Sequence, residues 1–151
     1  MREDVLSKLL SLLCSVVILS IAAISVARAD SAADATAAFS AWDAAFNSGD
    51  AMAVCALYTD DATLLPPTHV VQKGPEAIDK FIAGILGMGA KGHKFELIEA
   101  SGDDKIVYGA AKWSATGKDK AGADQPWGGT ATAIFEKQAD GSLKIKMQMF
   151  N

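Results

Sequence analysis

The chain is poor in the residues that build disulfide scaffolds, metal centres and nucleic-acid surfaces. Its 151 residues include two cysteines, Cys14 and Cys55, too few for a scaffold stapled by several disulfides. The formal net charge is -4, and a pI near 5.0 excludes a basic face for nucleic-acid phosphates. Its two histidines, His69 and His93, lie far apart, and no calcium-loop spacing is present, so we predict no metal. Without a phosphate-cradling glycine loop we predict no cofactor either.

The first 29 residues resemble an export signal. A short polar head with Arg2 and Lys8 precedes the apolar run Leu9–Val26, and Ala27-Arg28-Ala29 is the small-x-small pattern that a signal peptidase accepts. We therefore expect residues 1–29 to be a cleaved signal peptide and the protein to be periplasmic or secreted, with no membrane contact after cleavage. The alternative is an anchor formed by uncleaved Leu9–Val26, because this run approaches the length that spans a bilayer.

Residues 30–151 contain no repeat or linker, so we treat them as one domain. A helical spacing of apolar residues begins it, and Gly49-Asp50 then marks a helix stop followed by an N-cap. A second helix is expected over about 51–58, with Cys55 as a buried small hydrophobe. After a turn at Asp60-Asp61 and a short strand ended by Pro66-Pro67, Gly74-Pro75 opens a third helix.

From Lys91 onward the apolar period changes to two, which is typical of strands. Four long antiparallel strands are predicted, around 93–99, 107–115, 127–135 and 143–149. Turn signals at 102–104 and 139–141 separate two pairs of them. The order of elements predicts an α+β domain in which helices pack on one face of a curved sheet.

Three motifs, in this order and spacing, resemble the nuclear transport factor 2-like superfamily, and especially its SnoaL-like, ketosteroid-isomerase-like branch. They are the helix–Gly49-Asp50–helix join, Tyr58-x-Asp60-Asp61-Ala62, and Lys73-Gly74-Pro75-Glu76-Ala77-Ile78. The ending from Asp140 to Asn151 also looks like the family's last hairpin. The resemblance implies a cone-shaped, cystatin-like α+β barrel with three N-terminal helices, an apolar pocket between sheet and helices, and a dimer formed through the sheet.

The resemblance does not carry over the chemistry of ketosteroid isomerases. Those enzymes have a carboxylate base where this chain has Pro66, a tyrosine where it has Trp42, and a protonated acid where it has Ala131. Proline and alanine can neither take a proton nor donate a hydrogen bond. Steroid isomerisation by that mechanism is therefore not expected.

Strand parity and helix spacing predict the residues that line the pocket, and any one of them could equally be ordinary core. We expect the pocket to suit a small apolar or amphipathic molecule. The predicted lining residues are Trp42, Phe46, Tyr58, Leu65, Phe81, Ile85, Phe95, Trp113, Trp127, Met147 and Met149.

The same parity puts two ionisable side chains, His93 and Glu99, on the inner face of the first long strand, and either is a candidate general base. Asp43, beside Trp42, is a weaker candidate, and His69 is expected in a loop.

Three functions follow as alternatives. The first is an exported binding domain without catalysis. The second is a lyase, isomerase or cyclase that uses His93 or Glu99. The third is an interaction module that dimerises through an outer sheet face containing Thr130, Thr132 and Ile134.

Overall fold

The computed structural model describes residues 31–151. The predicted signal peptide, its cleavage after Ala29 and the alternative anchor Leu9–Val26 lie outside the described residues. None of the helices within 31–151 combines the length and the apolar character that a membrane span requires.

Three helices form where the sequence signals predict them. Helix α1 covers 31–47 and ends before Gly49, whose φ of 78° is one that glycine adopts without steric cost. Helix α2, Ala51–Cys55, is capped by Asp50, whose Oδ1 accepts a hydrogen bond from the Ala53 N–H at 3.1 Å. It is shorter than predicted, because Tyr58 already belongs to a strand. Helix α3, Pro75–Gly87, begins with proline at its first position.

Six strands form a single open sheet. The strands are β1 Tyr58–Leu65, β2 Gln72–Lys73, β3 Lys91–Gly102, β4 Ile106–Lys118, β5 Asp124–Lys137 and β6 Leu143–Phe150. Their order in the sheet is β2-β1-β6-β5-β4-β3, with β1 parallel to β6 and every other pair antiparallel. The predicted α+β class is confirmed, and the two-residue strand β2 is the one addition.

The core lies between α1 and the inner face of the sheet. Phe39 of α1 packs against Phe95 of β3 and Phe135 of β5, with ring centroids 4.6 and 5.3 Å away. Gly109 of β4 permits this close approach, because a Cβ there would lie 2.9 Å from the Phe39 ring. Cys55 is also buried, as expected, and burial raises the pKa of its thiol.

The last strand reverses its faces at Lys146, contrary to the predicted alternation. Ile134 and Phe135 are neighbours on β5, yet they pair with Met147 and Ile145, so Lys146 is an extra residue in β6. Such a bulge shifts the alternation of every later side chain. Met147 and Met149 therefore face outward, 40% and 54% exposed, and Gln148 faces inward, 2% exposed.

Two further irregularities explain why Leu65 and Glu99 are not inside. In β1, residues 59–62 oppose Lys146 alone, so the predicted turn at Asp60-Asp61 is a distortion within the strand; beyond it Leu64 is the buried leucine. In β3, Leu97 and Glu99 pair with adjacent residues of β4, which makes Ile98 the extra residue. Glu99 is consequently exposed on the outer side.

Two glycine-to-alanine substitutions test the packing of β4 against β5. A Cβ on Gly117 would lie 2.0 Å from the Trp127 indole, whereas one on Gly84 in α3 would meet nothing within 4 Å. We expect Gly117→Ala to lower the free energy of unfolding by about 1–3 kcal/mol through overpacking. Gly84→Ala, the control, should raise it by about 0.5–1 kcal/mol through helix propensity. Urea unfolding of both variants measures this, and an unchanged Gly117→Ala midpoint would contradict the described packing.

Candidate functional site

A cavity of about 500 Å³ lies between the inner face of the sheet and helices α1 and α3. It brings together eight of the eleven predicted lining residues and one of the two predicted bases. The eight are Trp42, Phe46, Tyr58, Phe81, Ile85, Phe95, Trp113 and Trp127, and the base is His93.

The other four predicted positions lie elsewhere, because each follows a distortion in its strand. Leu65 and Met149 line a separate groove beside the Pro66-Pro67 loop, and Met147 lies exposed on the outer face of the sheet. Glu99 is exposed beyond the bulge at Ile98 and lines neither the cavity nor this groove.

An imidazole–carboxylate pair reaches the cavity through its histidine, while the carboxylate lies behind the cavity wall. His93 Nδ1 lies 2.7 Å from Asp43 Oδ1, with the two side chains 8% and 18% exposed. The second carboxylate oxygen, Oδ2, accepts a hydrogen bond from the Phe95 N–H at 2.9 Å. Asp43 thus joins α1 to β3 while it orients the His93 ring.

The backbone of His93 is also bound from α1. The ladder between β3 and β4 is interrupted between Lys91 and Lys94, where Gly92 has a φ of 65°. The Asn47 side chain accepts from the His93 N–H and donates to the His93 carbonyl, both at 2.8 Å. These two bonds replace partners that the interrupted ladder would have supplied.

Aromatic rings surround the imidazole. The ring centroids of Trp42 and Phe95 lie 4.6 Å from that of His93, and Trp113 stacks on it at 5.7 Å with planes 6° apart. Among the described residues that line the cavity there is no lysine or arginine. The site is therefore an apolar chamber with one oriented histidine.

The partner of Nδ1 decides what Nε2 can do. An ionised carboxylate only accepts hydrogen bonds, so with Asp43 ionised the proton of the His93 ring lies on Nδ1. Nε2 of the neutral ring then has a free lone pair, and it makes no hydrogen bond to any of residues 31–151. In this arrangement Nε2 can accept a proton, and Asp43 stabilises the resulting imidazolium.

A second polar group is a buried chain of three side chains. The Trp42 indole Nε1 donates to the Tyr58 hydroxyl at 3.1 Å, and that hydroxyl donates to Gln148 Oε1. All three residues are at most 5% exposed. Burial raises the pKa of the Tyr58 phenol, so this group stays neutral and cannot serve as a base.

Sequence reasoning missed two polar contributors, Asn47 and Gln148, and underrated a third, Asp43. Asp43 was the weaker candidate, yet it is the partner of His93. Asn47 follows Asp43 by four residues, a spacing that puts both on one side of α1 and could have linked them. Gln148 carried no such signal, because its inward position depends on the bulge at Lys146. Asn151, whose carbonyl accepts from the Trp113 indole at 3.1 Å, lines the cavity as well.

Nothing in the described part of the chain forms a metal centre. No group of three or more histidine, cysteine, aspartate or glutamate side chains within 31–151 lies close enough together to hold an ion.

Comparisons with known proteins agree with this fold. The family model of the SnoaL-like domain matches residues 39–145. A ketosteroid isomerase-like protein from Erwinia carotovora atroseptica SCRI1043 is 24% identical, with 78% of this chain and 92% of that chain covered and a TM-score of 0.70. A nuclear transport factor 2-like superfamily protein from Salmonella enterica serovar Typhimurium LT2 is 12% identical, with coverage of 82% and 91% and a TM-score of 0.67.

A third solved structure is similar as well. It is a nuclear transport factor 2-like protein with a cystatin-like fold from Novosphingobium aromaticivorans, 13% identical, with 80% of each chain covered and a TM-score of 0.66. At these identities the solved structures show the fold alone. No protein with a curated description matches the chain.

The raised pKa of the buried Tyr58 phenol allows a test of its hydrogen bonds to Trp42 and Gln148. Tyr58 and Tyr108 are the only tyrosines, so Tyr108→Phe leaves Tyr58 as the sole phenol. A raised pKa in the folded state means that the unfolded chain loses the proton first, near pH 10. Stability should therefore fall as pH rises above about 10, and phenolate absorbance should appear only together with unfolding. A titration near pH 10 with the circular dichroism of the fold intact would contradict the described burial.

Proposed function

Because the chain belongs to the SnoaL-like family, we propose that it binds a small, largely apolar molecule in this cavity and moves a proton on it. The proton acceptor is His93, oriented by Asp43. The reaction class is proton abstraction from carbon, followed by return of the proton at another position, which is isomerisation, or by loss of a neighbouring leaving group, which is elimination.

One observation carries this proposal: the Asp43 carboxylate lies 2.7 Å from His93 Nδ1, so the lone pair of Nε2 remains for the cavity. The apolar walls add support, because they exclude water that would compete for the proton. Glu99 is not proposed as a base, since it is exposed outside the cavity.

In the proposed step the C–H bond of the bound molecule breaks and its proton passes to Nε2. The electron pair stays on the substrate, and the imidazolium that forms is stabilised by the Asp43 carboxylate beside Nδ1. In isomerisation the proton returns to carbon; in elimination the electron pair expels the leaving group, which takes up the proton from the imidazolium. Either course restores the neutral ring without a further reactant.

Hydrogen–deuterium exchange tests this step without knowledge of the natural substrate. A panel of small ketones is incubated with the protein in deuterium oxide, and exchange of the α-protons is followed by NMR. We expect the wild type to accelerate exchange of the ketones that fit. His93→Asn, which keeps a similar size but lacks the base, should slow it by about a hundredfold or more. Asp43→Asn should also slow it, because the tautomer is no longer fixed.

The matched control is His69→Asn. His69 is exposed in the loop before β2 with a φ of 62°, a conformation that asparagine adopts readily. This variant should exchange at the wild-type rate. If the wild type binds the ketones without accelerating exchange, or if His93→Asn is equally fast, the protein binds its ligand without moving a proton, and the catalytic proposal fails.

We also propose that two copies associate through the outer face of the sheet. Two rows of mostly apolar side chains cross three strands there, Tyr108–Ile134–Met147 and Ala110–Thr132–Met149. Tyr108, Met147 and Met149 are 42%, 40% and 54% exposed, and a contiguous apolar patch on a sheet is typical of an interface.

A charge within this patch tests the association. We expect a wild-type dimer at micromolar concentration in sedimentation velocity, and a monomer for Met147→Lys, because burying an unpaired ammonium is costly. Met52→Lys is the control, since Met52 is 75% exposed on α2, away from the sheet. A wild-type monomer, or a Met147→Lys dimer of undiminished stability, would contradict the proposal.

A further inference from the structure

The direction of each hydrogen bond in the buried chain is fixed by chemistry. An indole N–H can only donate, so the Tyr58 oxygen accepts from Trp42 Nε1. The Tyr58 hydroxyl proton has no other acceptor among residues 31–151, so it is donated to Gln148. The atom that receives it must be an acceptor, which assigns the carbonyl Oε1 of Gln148 to Tyr58 and leaves the amide Nε2 on the other side.

That amide nitrogen has two N–H groups and no protein partner. Within residues 31–151, Gln148 Nε2 makes no hydrogen bond, although the residue is only 2% exposed and lines the cavity. The described residues do not bury this nitrogen completely, so Gln148 Nε2 keeps accessible surface toward the cavity. An oriented donor in an apolar chamber is costly to leave unpaired and gains most from an acceptor on the ligand.

We infer that Gln148 is the specificity-determining hydrogen-bond donor of the cavity and that it selects neutral ligands with a carbonyl oxygen. This inference rests on the proposed function and names its substrate class. The ligand is neutral because the described lining residues include no lysine, arginine, aspartate or glutamate, so a buried charge of either sign would stay uncompensated. Ketones, aldehydes, esters and lactones have the required carbonyl acceptor. Hydrocarbons have no acceptor for the Gln148 N–H, and simple ethers have a weaker one.

A carbonyl held by Gln148 complements the proposed base. When His93 Nε2 takes a proton from the carbon beside the carbonyl, the electron pair moves onto the carbonyl oxygen and an enolate forms. The Gln148 N–H bond to that oxygen strengthens as the negative charge develops. Return of the proton from the imidazolium to carbon consumes the enolate, so no oxidant, reductant or second substrate is required.

A matched pair of small probes isolates this hydrogen bond. 1-Tetralone and tetralin share one bicyclic skeleton and differ by a carbonyl in place of a methylene. We expect calorimetric titration of the wild-type protein to give a Kd for 1-tetralone about tenfold lower than the Kd for tetralin, because only the ketone accepts a hydrogen bond from Gln148. Gln148→Met, which keeps the length of the side chain but has no N–H, should abolish this preference while tetralin affinity changes little.

Two further variants separate the loss of the hydrogen-bond donor from a loss of folding stability. Gln148→Met removes the acceptor of Tyr58 and can reduce stability, so Gln148→Glu is measured beside it at a pH where the glutamate is ionised, because a carboxylate still accepts from Tyr58 and has no N–H. It should disfavour the ketone as well. Gln125→Met, in an exposed part of β5, is the matched control and should retain the preference. The carbonyl stretching frequency of bound 1-tetralone should be lower in the wild type than in either Gln148 variant.

The outcomes distinguish this inference from the proposed function. If both probes bind but the preference and the carbonyl frequency are unchanged in the Gln148 variants, the donor role is wrong and the cavity and His93 proposals stand. If neither probe binds the wild type, the apolar-ligand proposal fails and the inference fails with it. If His93→Asn abolishes exchange while the ketone preference persists, base and donor are separate groups, as the inference requires.

Discussion

The carboxylate of Asp43 is the contact on which the site depends. One oxygen binds His93 Nδ1 and the other accepts from the Phe95 N–H, so a single side chain of α1 bridges two inward residues of β3. Asn47, one turn later, holds the His93 backbone through both its N–H and its carbonyl. Four hydrogen bonds therefore converge on residues 93–95, where β3 lies at the edge of the sheet and its ladder with β4 is interrupted. Helix α1 thus supplies hydrogen-bond partners for backbone groups of β3, and its Asp43 side chain also fixes the orientation of the His93 ring.

Regular alternation and one strand distortion together bring the polar groups to the cavity. His93 shares the inner face of β3 with Phe95, as plain alternation predicts, whereas the extra residue Lys146 turns Gln148 inward. Lys146 itself stays on the outer side, where it forms an ion pair with Asp61 and holds the pKa of that carboxyl below its usual range. This pair joins β6 to the distorted part of β1, so a surface contact supports the register that the interior requires. Bulges commonly redirect side chains next to binding sites in this way.

The class of fold and most of the apolar lining could be predicted because they depend on local rules. Helix spacing identified Trp42 and Phe46, and plain alternation identified Trp113 and Trp127 on strands that pair without interruption. Those rules fail beyond a bulge, since one extra residue exchanges the two faces. Met147 and Gln148 exchanged places for this reason, and Glu99 moved outward. The bulges themselves depend on pairing between distant strands, which no local pattern of the sequence records.

The central claim is that His93 presents a bare Nε2 to the cavity because Asp43 holds the proton on Nδ1. The most direct measurement is the ¹⁵N NMR spectrum of the protein labelled at its two histidines, with His69→Asn used to assign the signals. The account requires the neutral form of the His93 ring to carry its proton on Nδ1, with a pyrrole-type Nδ1 shift and a pyridine-type Nε2 shift, and to change toward the other tautomer in Asp43→Asn. A neutral wild-type ring with its proton on Nε2 would contradict it.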